Sequence, residues 1–309
     1  MIPTHQTRTL ILRCLDSLRA ASLETCEIIV VDDGSTDGTV EALRRHHPDV
    51  VLVELRPSRG FTSAANAGMS RTRGQFLFLL NSDTEVEPTT VPRLLAAFIA
   101  DARLGVAGAE LCFPDGRLQW SAGRMPTRLW LFALASGLGR CLEHVPGYRR
   151  LRPPGGARGR VDWVSGAAMM VRREAWAAAG GFDERFQFYC QDMDLCLRLA
   201  ALGWTVEVVT GATVTHIGGA TIGEQPGAAA DRSNPALLWT DLVRWAAKRG
   251  GPRHARDVKR VLWLGGIVRV GARRLVVGVL PPARREPWRR QTHAFERALA
   301  ALAEERPGQ

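Results

Sequence analysis

The 309-residue sequence has no uninterrupted run of 18 apolar residues, which excludes an ordinary membrane-spanning helix. Its opening, MIPTHQTRTL, lacks the apolar core of a secretory leader. The six cysteines (Cys14, Cys26, Cys112, Cys141, Cys190 and Cys196) include no CxxC pair, so they spell neither a zinc ribbon nor a thioredoxin-like redox motif. With no leader they read as reduced thiols of a cytoplasmic protein. Glycine (31) and proline (17) are too few and too aperiodic for a fibrous chain, and no internal repeat is present. Lysine is nearly missing: only Lys248 and Lys259 occur among 41 basic residues. What remains, 46% hydrophobic and 23% charged, is a globular chain long enough for one large domain or two small ones.

The net charge of +10 is unevenly placed. Residues 243–309 hold 16 Lys+Arg and 5 Asp+Glu, while residues 1–242 hold 25 and 26. A basic tail suits phosphate backbones or anionic lipid headgroups. A nucleic-acid-binding protein is disfavoured, because the excess is confined to the tail and no recognised motif accompanies it.

Short apolar runs alternate with helical spacing along the first third. EIIVV at 27–31, VVLVEL at 50–55, QFLFLL at 75–80 and 105–111 read as strands. Residues 10–19, 39–46, 63–71 and 92–101 read as helices. Such alternation predicts an α/β domain with a mostly parallel sheet, whose ligands bind at the carboxyl ends of strands. Further on, 128–142 is apolar with glycine breaks, and 146–160 is a basic Pro/Gly loop expected to be mobile. Helices are expected at 173–179 and 192–202, strands at 205–209 and 213–215, and two helical stretches at 236–249 and 256–279.

Four clusters could carry chemistry. Asp32 and Asp33 open the octet DDGSTDGT just past a strand, where a carboxylate can accept from a base imide or a ribose hydroxyl, or merely cap the next helix. Asp83, in LNSDTE, suits a hard divalent cation that also holds a diphosphate, or a solvated loop. Asp192, in QDMDLCLR, would sit at a helix N-terminus whose dipole keeps it ionised, as a general base requires. Asp194 could cap that helix or pair with Arg198 at i,i+4. His216 follows a strand and is either a structural residue or a metal ligand.

Taken in order, IPTHQ, EIIVVDDGSTDGT, RGFTSAANAG, LLNSDTEVEP, VSGAAMMVRR, GGFDERF, QDMDLCLRLAALGW and THIGG resemble the family 2 glycosyltransferases of the GT-A fold, over roughly residues 2–219. The NSD triplet, VSGA and THIGG look like the bacterial rhamnosyltransferase and galactofuranosyltransferase branch that builds cell-wall or O-antigen glycans. The resemblance implies a Rossmann-like sheet flanked by helices, in a catalytic domain over 1–235 (nucleotide-sugar half 1–112, acceptor half 160–235). It implies that Pro3, Thr4, Asp32 or Asp33, Arg59, Gly60, Asn66, Asn81 and Ser82 bind the donor. Asp83 and His216 would hold Mg2+ or Mn2+, and Asp192 would be the base. Trp163, Ser165, Gly166, Gln191 and Asp194 would border sugar or acceptor. The implied reaction is inverting transfer from dTDP-L-rhamnose, or alternatively UDP-galactofuranose or another UDP-sugar, to a glycan or polyprenyl-diphosphate-linked hydroxyl. A silent nucleotide-sugar-binding subunit is the alternative from another class, raised by Asn81 and by a first strand with only Met1 and Ile2 ahead of Pro3. That start means either that the true start lies upstream or that the central strand is truncated.

Residues 236–309 read as a basic helical region. In 261–280, Arg269, Arg273 and Arg274 interrupt an apolar run. A charge inside a span is expensive, so this helix is expected to lie in the headgroup plane. Its arginines would face anionic lipid, and Trp263, Leu264, Leu275 and Val276 would be inserted. This would put the protein on the inner face of the plasma membrane. Packing on the catalytic domain or on a homodimer partner is the alternative.

Overall fold

The computed structural model describes residues 1–21, 26–142, 158–186, 188–218 and 234–306. Gly219 and most of the basic loop expected at 146–160 lie outside the described residues. The chain order begins β1 (Ile2–Thr4), α1 (Arg8–Ala20), β2 (Ile29–Asp32), α2 (Thr39–His46), β3 (Val51–Glu54), α3 (Phe61–Met69), β4 (Phe76–Leu80), β5 (Thr84–Val86), α4 (Thr90–Ala100), β6 (Leu104–Cys112) and β7 (Ala122–Gly123). It continues with α5 (Arg128–Ser136), α6 (Gly139–Leu142), β8 (Gly159–Arg160), β9 (Trp163–Val164), β10 (Ala168–Arg172), α7 (Arg173–Ala179), α8 (Gln191–Ala201), β11 (Thr205–His216), α9 (Pro235–Val279) and α10 (Pro282–Glu304).

These residues form two compact units. The first comprises 1–125, 158–185 and 191–218 of the described chain. Its sheet starts with three parallel strands in the order β3-β2-β1. The strands β1 and β2 are buried along their whole length, which is why their sequences are apolar runs rather than alternations. Met1 donates from its amino group to the Phe78 carbonyl (2.8 Å) and accepts from the Leu80 N–H (3.1 Å), the parallel bonding pattern that joins β1 to β4. The sheet continues β4-β10-β6-β11-β5. The strand β10 runs antiparallel to both β4 and β6, β11 is parallel to β6, and β5 is antiparallel to β11. The strands β1, β2, β3, β4, β6 and β11 therefore share one direction, and β10 and β5 are reversed. The crossovers α1, α2 and α3 lead outward from β1 to β3 and back to β4 on the other side of β1. That reversal of strand order is the switch point at which open sheets of this kind bind ligands. At Gly68 of α3 an added Cβ would fall 2.5 Å from Met1 Cγ and 2.7 Å from Val31 Cγ2, so the helix can approach the sheet only through glycine.

The strand β11 is one element where two were expected, irregular between Val209 and Thr213, with Gly211 at φ 77°. Core side chains come from both halves of the sheet and from the helices on it, including Ile2, Val30, Leu80, Ala107, Met170 and Val214 with Leu15 and Phe98.

The second unit comprises 126–142, 186, 188–190 and 234–306 of the described chain. It therefore takes in the apolar middle segment as well as the expected C-terminal region. Helix α9 begins at Pro235 with Asn234 accepting from the Ala236 N–H (3.1 Å). It breaks at Gly251 (φ 71°, ψ −172°) ahead of Pro252, which gives the two stretches expected from the sequence. Helix α10 lies in the stretch read as a basic helical region, and it packs through Phe295, Ala298 and Leu302 at helical spacing. Buried Asp241 accepts from the Phe188 (3.2 Å) and Tyr189 (2.9 Å) N–H groups, which ties that segment to α9.

Candidate active site

The site residues lie at the carboxyl ends of β1, β2, β4 and β11, in the first unit. Thr4 ends β1 and is buried; its hydroxyl meets Thr7 (2.6 Å), and Thr7 donates to buried Ser82 (2.9 Å). Both side chains are thus part of an internal joint between two strand ends. The hydroxyls expected to touch donor are turned inward.

The two carboxylates of the first cluster divide. Asp33 accepts from Ser58 Oγ (2.7 Å), the Arg59 N–H (2.7 Å) and the Gly60 N–H (2.8 Å). It is consumed in fixing the loop that presents the exposed Arg59 side chain. Fully buried Asp32 accepts from the Ser35 N–H (3.0 Å) through one oxygen, and its Oδ1 has no partner. A buried orphan acceptor at a strand end can take a base N–H or a ribose hydroxyl. Asn66 is engaged within the protein: it donates to the Phe182 carbonyl (2.9 Å) and Glu184 Oε1 (3.0 Å) and accepts from the Phe182 N–H (2.9 Å). It clasps the GGFDERF turn because its amide complements that turn's backbone.

The antiparallel pairing of β5 with β11 sets Thr84 opposite His216 and so brings Asp83 beside the imidazole. His216 Nε2 lies 3.4 Å from Asp83 Oδ1 and 3.4 Å from Asn81 Nδ2. Gln119 decides the tautomer. Its amide nitrogen donates to the carbonyls of Cys112 (3.3 Å) and His216. Its Oε1, 2.9 Å from His216 Nδ1, must therefore accept, so Nδ1 carries the hydrogen and Nε2 offers a lone pair. Burial alone would raise the Asp83 carboxyl, but the His216 ring when doubly protonated, together with backbone N–H groups, outweighs it and holds it below the usual carboxylate range. Asp83 Oδ1 and Asn81 Oδ1 are buried without a hydrogen-bond partner.

The pair fits a divalent cation: Asp83 Oδ1 and the His216 Nε2 lone pair face each other at 3.4 Å, and the Asn81 amide that meets Nε2 through its nitrogen would turn to offer its unpartnered Oδ1 to the ion. Among the described residues no group of three His, Cys, Asp or Glu side chains converges. The remaining positions would fall to water and diphosphate oxygens, the usual arrangement for Mg2+.

Asp192 lies on the same edge of the sheet. The Asn81 N–H donates to the Ala167 carbonyl (2.9 Å), and the neighbouring Gly166 N–H donates to Asp192 Oδ2 (3.1 Å). Asp192 Oδ1 accepts from the Met193 N–H (2.8 Å) in the first turn of α8. The carboxyl is half-buried, and burial raises its pKa against the pull of these N–H groups. The helix dipole was expected to dominate; loss of water is the larger effect. A carboxylate held rigidly with a raised pKa is a better proton acceptor than a solvated one.

The expected acceptor group separates similarly. Ser165 and Gly166 sit at the Asp192 edge, and the Ser165 N–H donates to the Ser121 carbonyl (2.7 Å). Gln191 is buried with Oε1 unpartnered. Asp194 faces away: it accepts from Arg198 Nε (2.8 Å), and Arg198 Nη2 donates to the Gly181 carbonyl (2.8 Å). Trp163 is buried edge-on to Trp120 (5.0 Å), with its indole N–H on the Arg124 carbonyl (3.2 Å), and has no free face for a sugar. Pro3 is a buried β1 residue. A cavity of about 620 Å³, lined by Met1, Cys26, Glu27, Gln75 and Phe76 among others, lies at the other end of these strands and gathers none of these groups.

A parallel βαβ half that delivers its strand ends to a carboxylate–imidazole pair, with a base-like carboxylate alongside, has the fold of GT-A glycosyltransferases. Residues 1–174 match Glycosyl transferase family 2, and the chain belongs to that family. It is 31% identical over 260 residues to the N-acetylglucosaminyl-diphospho-decaprenol L-rhamnosyltransferase of Mycobacterium tuberculosis, covering 76% of this chain and 84% of that protein. It is 27% identical to the O-antigen biosynthesis protein RfbC of Myxococcus xanthus, over 82% of this chain and 19% of that one. Among solved structures it resembles the mannosyltransferase PcManGT of Pyrobaculum calidifontis in complex with GDP-Man and Mn2+ (TM-score 0.57, 19% identity, 98% of this chain and 84% of that chain).

Proposed function

We propose that this glycosyltransferase moves L-rhamnose from dTDP-L-rhamnose to a hydroxyl of a polyprenyl-diphosphate-linked acceptor during cell-envelope glycan synthesis, with inversion. The observation that carries the reading is the 31% identity to the mycobacterial rhamnosyltransferase across 76% of the chain, together with the gathering of Asp83, His216 and Asp192 on one sheet edge. Asp32 Oδ1 accepts from the nucleoside, and the loop held by Asp33 sets Arg59 beside the nucleotide. Asp83, His216 and Asn81 would hold Mg2+ or Mn2+, which when bound neutralises the departing diphosphate.

Asp192 accepts the proton of the acceptor hydroxyl as that oxygen bonds to the anomeric carbon. The bond from that carbon to the diphosphate oxygen breaks, and its electron pair leaves with the nucleoside diphosphate. Attack opposite the leaving group inverts the carbon, so no covalent enzyme intermediate is needed.

The test is transfer from dTDP-L-rhamnose, UDP-galactofuranose and UDP-N-acetylglucosamine to a polyprenyl-diphosphate-N-acetylglucosamine acceptor. Rhamnosyl transfer that EDTA stops and Mn2+ restores is expected. Preference for a UDP-sugar would move the donor assignment to the galactofuranosyl branch. Full activity in chelator would remove Asp83 and His216 from the metal role.

A further inference from the structure

In the second unit, the arm of α9 beyond Gly251 reverses the expected orientation of its arginines. The Arg269 guanidinium lies 3.8 Å from the Phe295 ring centre and donates to the Leu134 carbonyl (3.1 Å). Arg273 stacks on Trp288 (4.6 Å), and Arg274 pairs with Glu296 (2.6 Å). Arg269 and Arg273 are turned onto the helical unit, and Arg274 stays exposed in a surface ion pair. The buried face of the arm is closely packed: a Cβ at Gly265 would fall 2.8 Å from Ala135 Cβ, and one at Gly266 would fall 2.8 Å from Leu299.

The outward face is left apolar. Leu264 (54% exposed), Ile267 (43%), Val268 (44%), Leu275 (76%) and Val279 (84%) recur at helical spacing. The stripe runs about 22 Å at ~1.5 Å per residue. Exposed arginines bracket it, with Arg253, Arg256 and Arg260 before it and Arg284 and Arg289 after it. No helix of the described residues is long and apolar enough to cross a membrane.

We infer that this stripe is a docking face for an anionic bilayer, with its apolar side chains among the acyl chains and the two arginine clusters on headgroup phosphates. Charge complementarity selects this occupant. An antiparallel second copy on the same stripe would set each arginine cluster against the other, with no acidic group on the stripe to compensate. An anionic surface satisfies both ends at once.

The test is flotation of the full chain with vesicles of phosphatidylcholine alone or with about 30% phosphatidylglycerol, beside light scattering of the free protein. Binding only to the anionic vesicles, weakened at least tenfold by Leu264→Glu/Leu275→Glu and by Arg256→Glu/Arg284→Glu, is expected. High salt should weaken wild-type binding. Equal binding to both vesicles, or variants that float like wild type, would overturn the inference. A dimer that Leu264→Glu/Leu275→Glu dissociates would assign the stripe to a second copy and overturn it as well. All four substitutions are at exposed positions, and unchanged circular dichroism checks the fold.

Discussion

Gln119 touches no ligand in the proposed reaction, yet it determines which nitrogen of His216 is available. Its two donor bonds fix the amide, and the amide fixes the imidazole. Replacing Gln119 with Met removes the acceptor at similar size, and Mn2+ affinity, read by titration in the presence of dTDP, should fall ~10–100-fold, the usual cost of losing such support. Gln119→Glu keeps an acceptor for Nδ1 but turns its second oxygen on the Cys112 and His216 carbonyls, so it should retain more of the affinity than Gln119→Met without matching the wild type. If Asp83→Ala weakens Mn2+ binding and Gln119→Met does not, Gln119 is only structural. A second residue-level outcome concerns protons. Because burial raises the Asp192 carboxyl, its basic form is lost on acidification earlier than for a solvated aspartate. The acid limb of kcat/KM should therefore lie above the ordinary carboxylate range, with unit slope. Asp192→Asn should lower transfer ~10²–10⁴-fold while nucleotide binding persists; a limb in the ordinary range would show that another group is titrating. Asp83, His216 and Asp192 drew attention in the sequence because the first two follow strand-like runs and the third opens a helical one, and the family resemblance gave them their expected roles. Gln119 did not: it reaches His216 only because Asp115-Gly116 turns the chain and lays it back on β6. That turn signal could have found it.

Among the elements, the loop at 58–60 depends most on a single side chain. One carboxylate, Asp33, receives three donors from it. Asn at this position offers one acceptor oxygen and turns an N–H toward the others, so at least one donor is left facing a donor. Hydrogen bonds to charged groups contribute about 1.5–3 kcal/mol each. Asp33→Asn should raise the donor KM about tenfold or more and move kcat less, whereas Asp32→Asn should weaken nucleotide binding without loosening the loop. Proteolysis or hydrogen exchange at 58–60 distinguishes the two; equal protection in both variants would remove Asp33 from its structural role. Apolar runs made the parallel strands readable in advance. The short β5 was not, since TEV is too brief for a period. The placement of Asn66 also escaped a linear reading, because it is claimed by the 179–184 turn, distant in sequence, whereas the Asp194–Arg198 pair was one of the alternatives the i,i+4 spacing offered.

Across the whole molecule the six thiols report on how completely the chain is packed. All are free, and their surroundings differ sharply. Cys14 on α1 and Cys196 on α8 are fully buried, and burial pushes each thiol up to about 12. Cys26 and Cys141 are exposed. The thiolate is the reactive form, so a buried thiol with so high a pKa is protected twice over, by access and by protonation. At pH 8, iodoacetamide should modify Cys26 and Cys141 in the native protein and leave Cys14 and Cys196 untouched over the same interval, as peptide mass spectrometry would read. In urea the two protected thiols should become reactive together. Cys14 on α1 lies against the Asn81 carbonyl (3.8 Å) and the Thr84 hydroxyl of β5 (3.6 Å), and Cys196 lies on α8, the helix that carries Asp192. Labelling of Cys14 at a lower urea concentration than Cys196 would mean that α1 leaves the Asn81–Thr84 segment while α8 stays closed, so that the two helices do not open as one cooperative body.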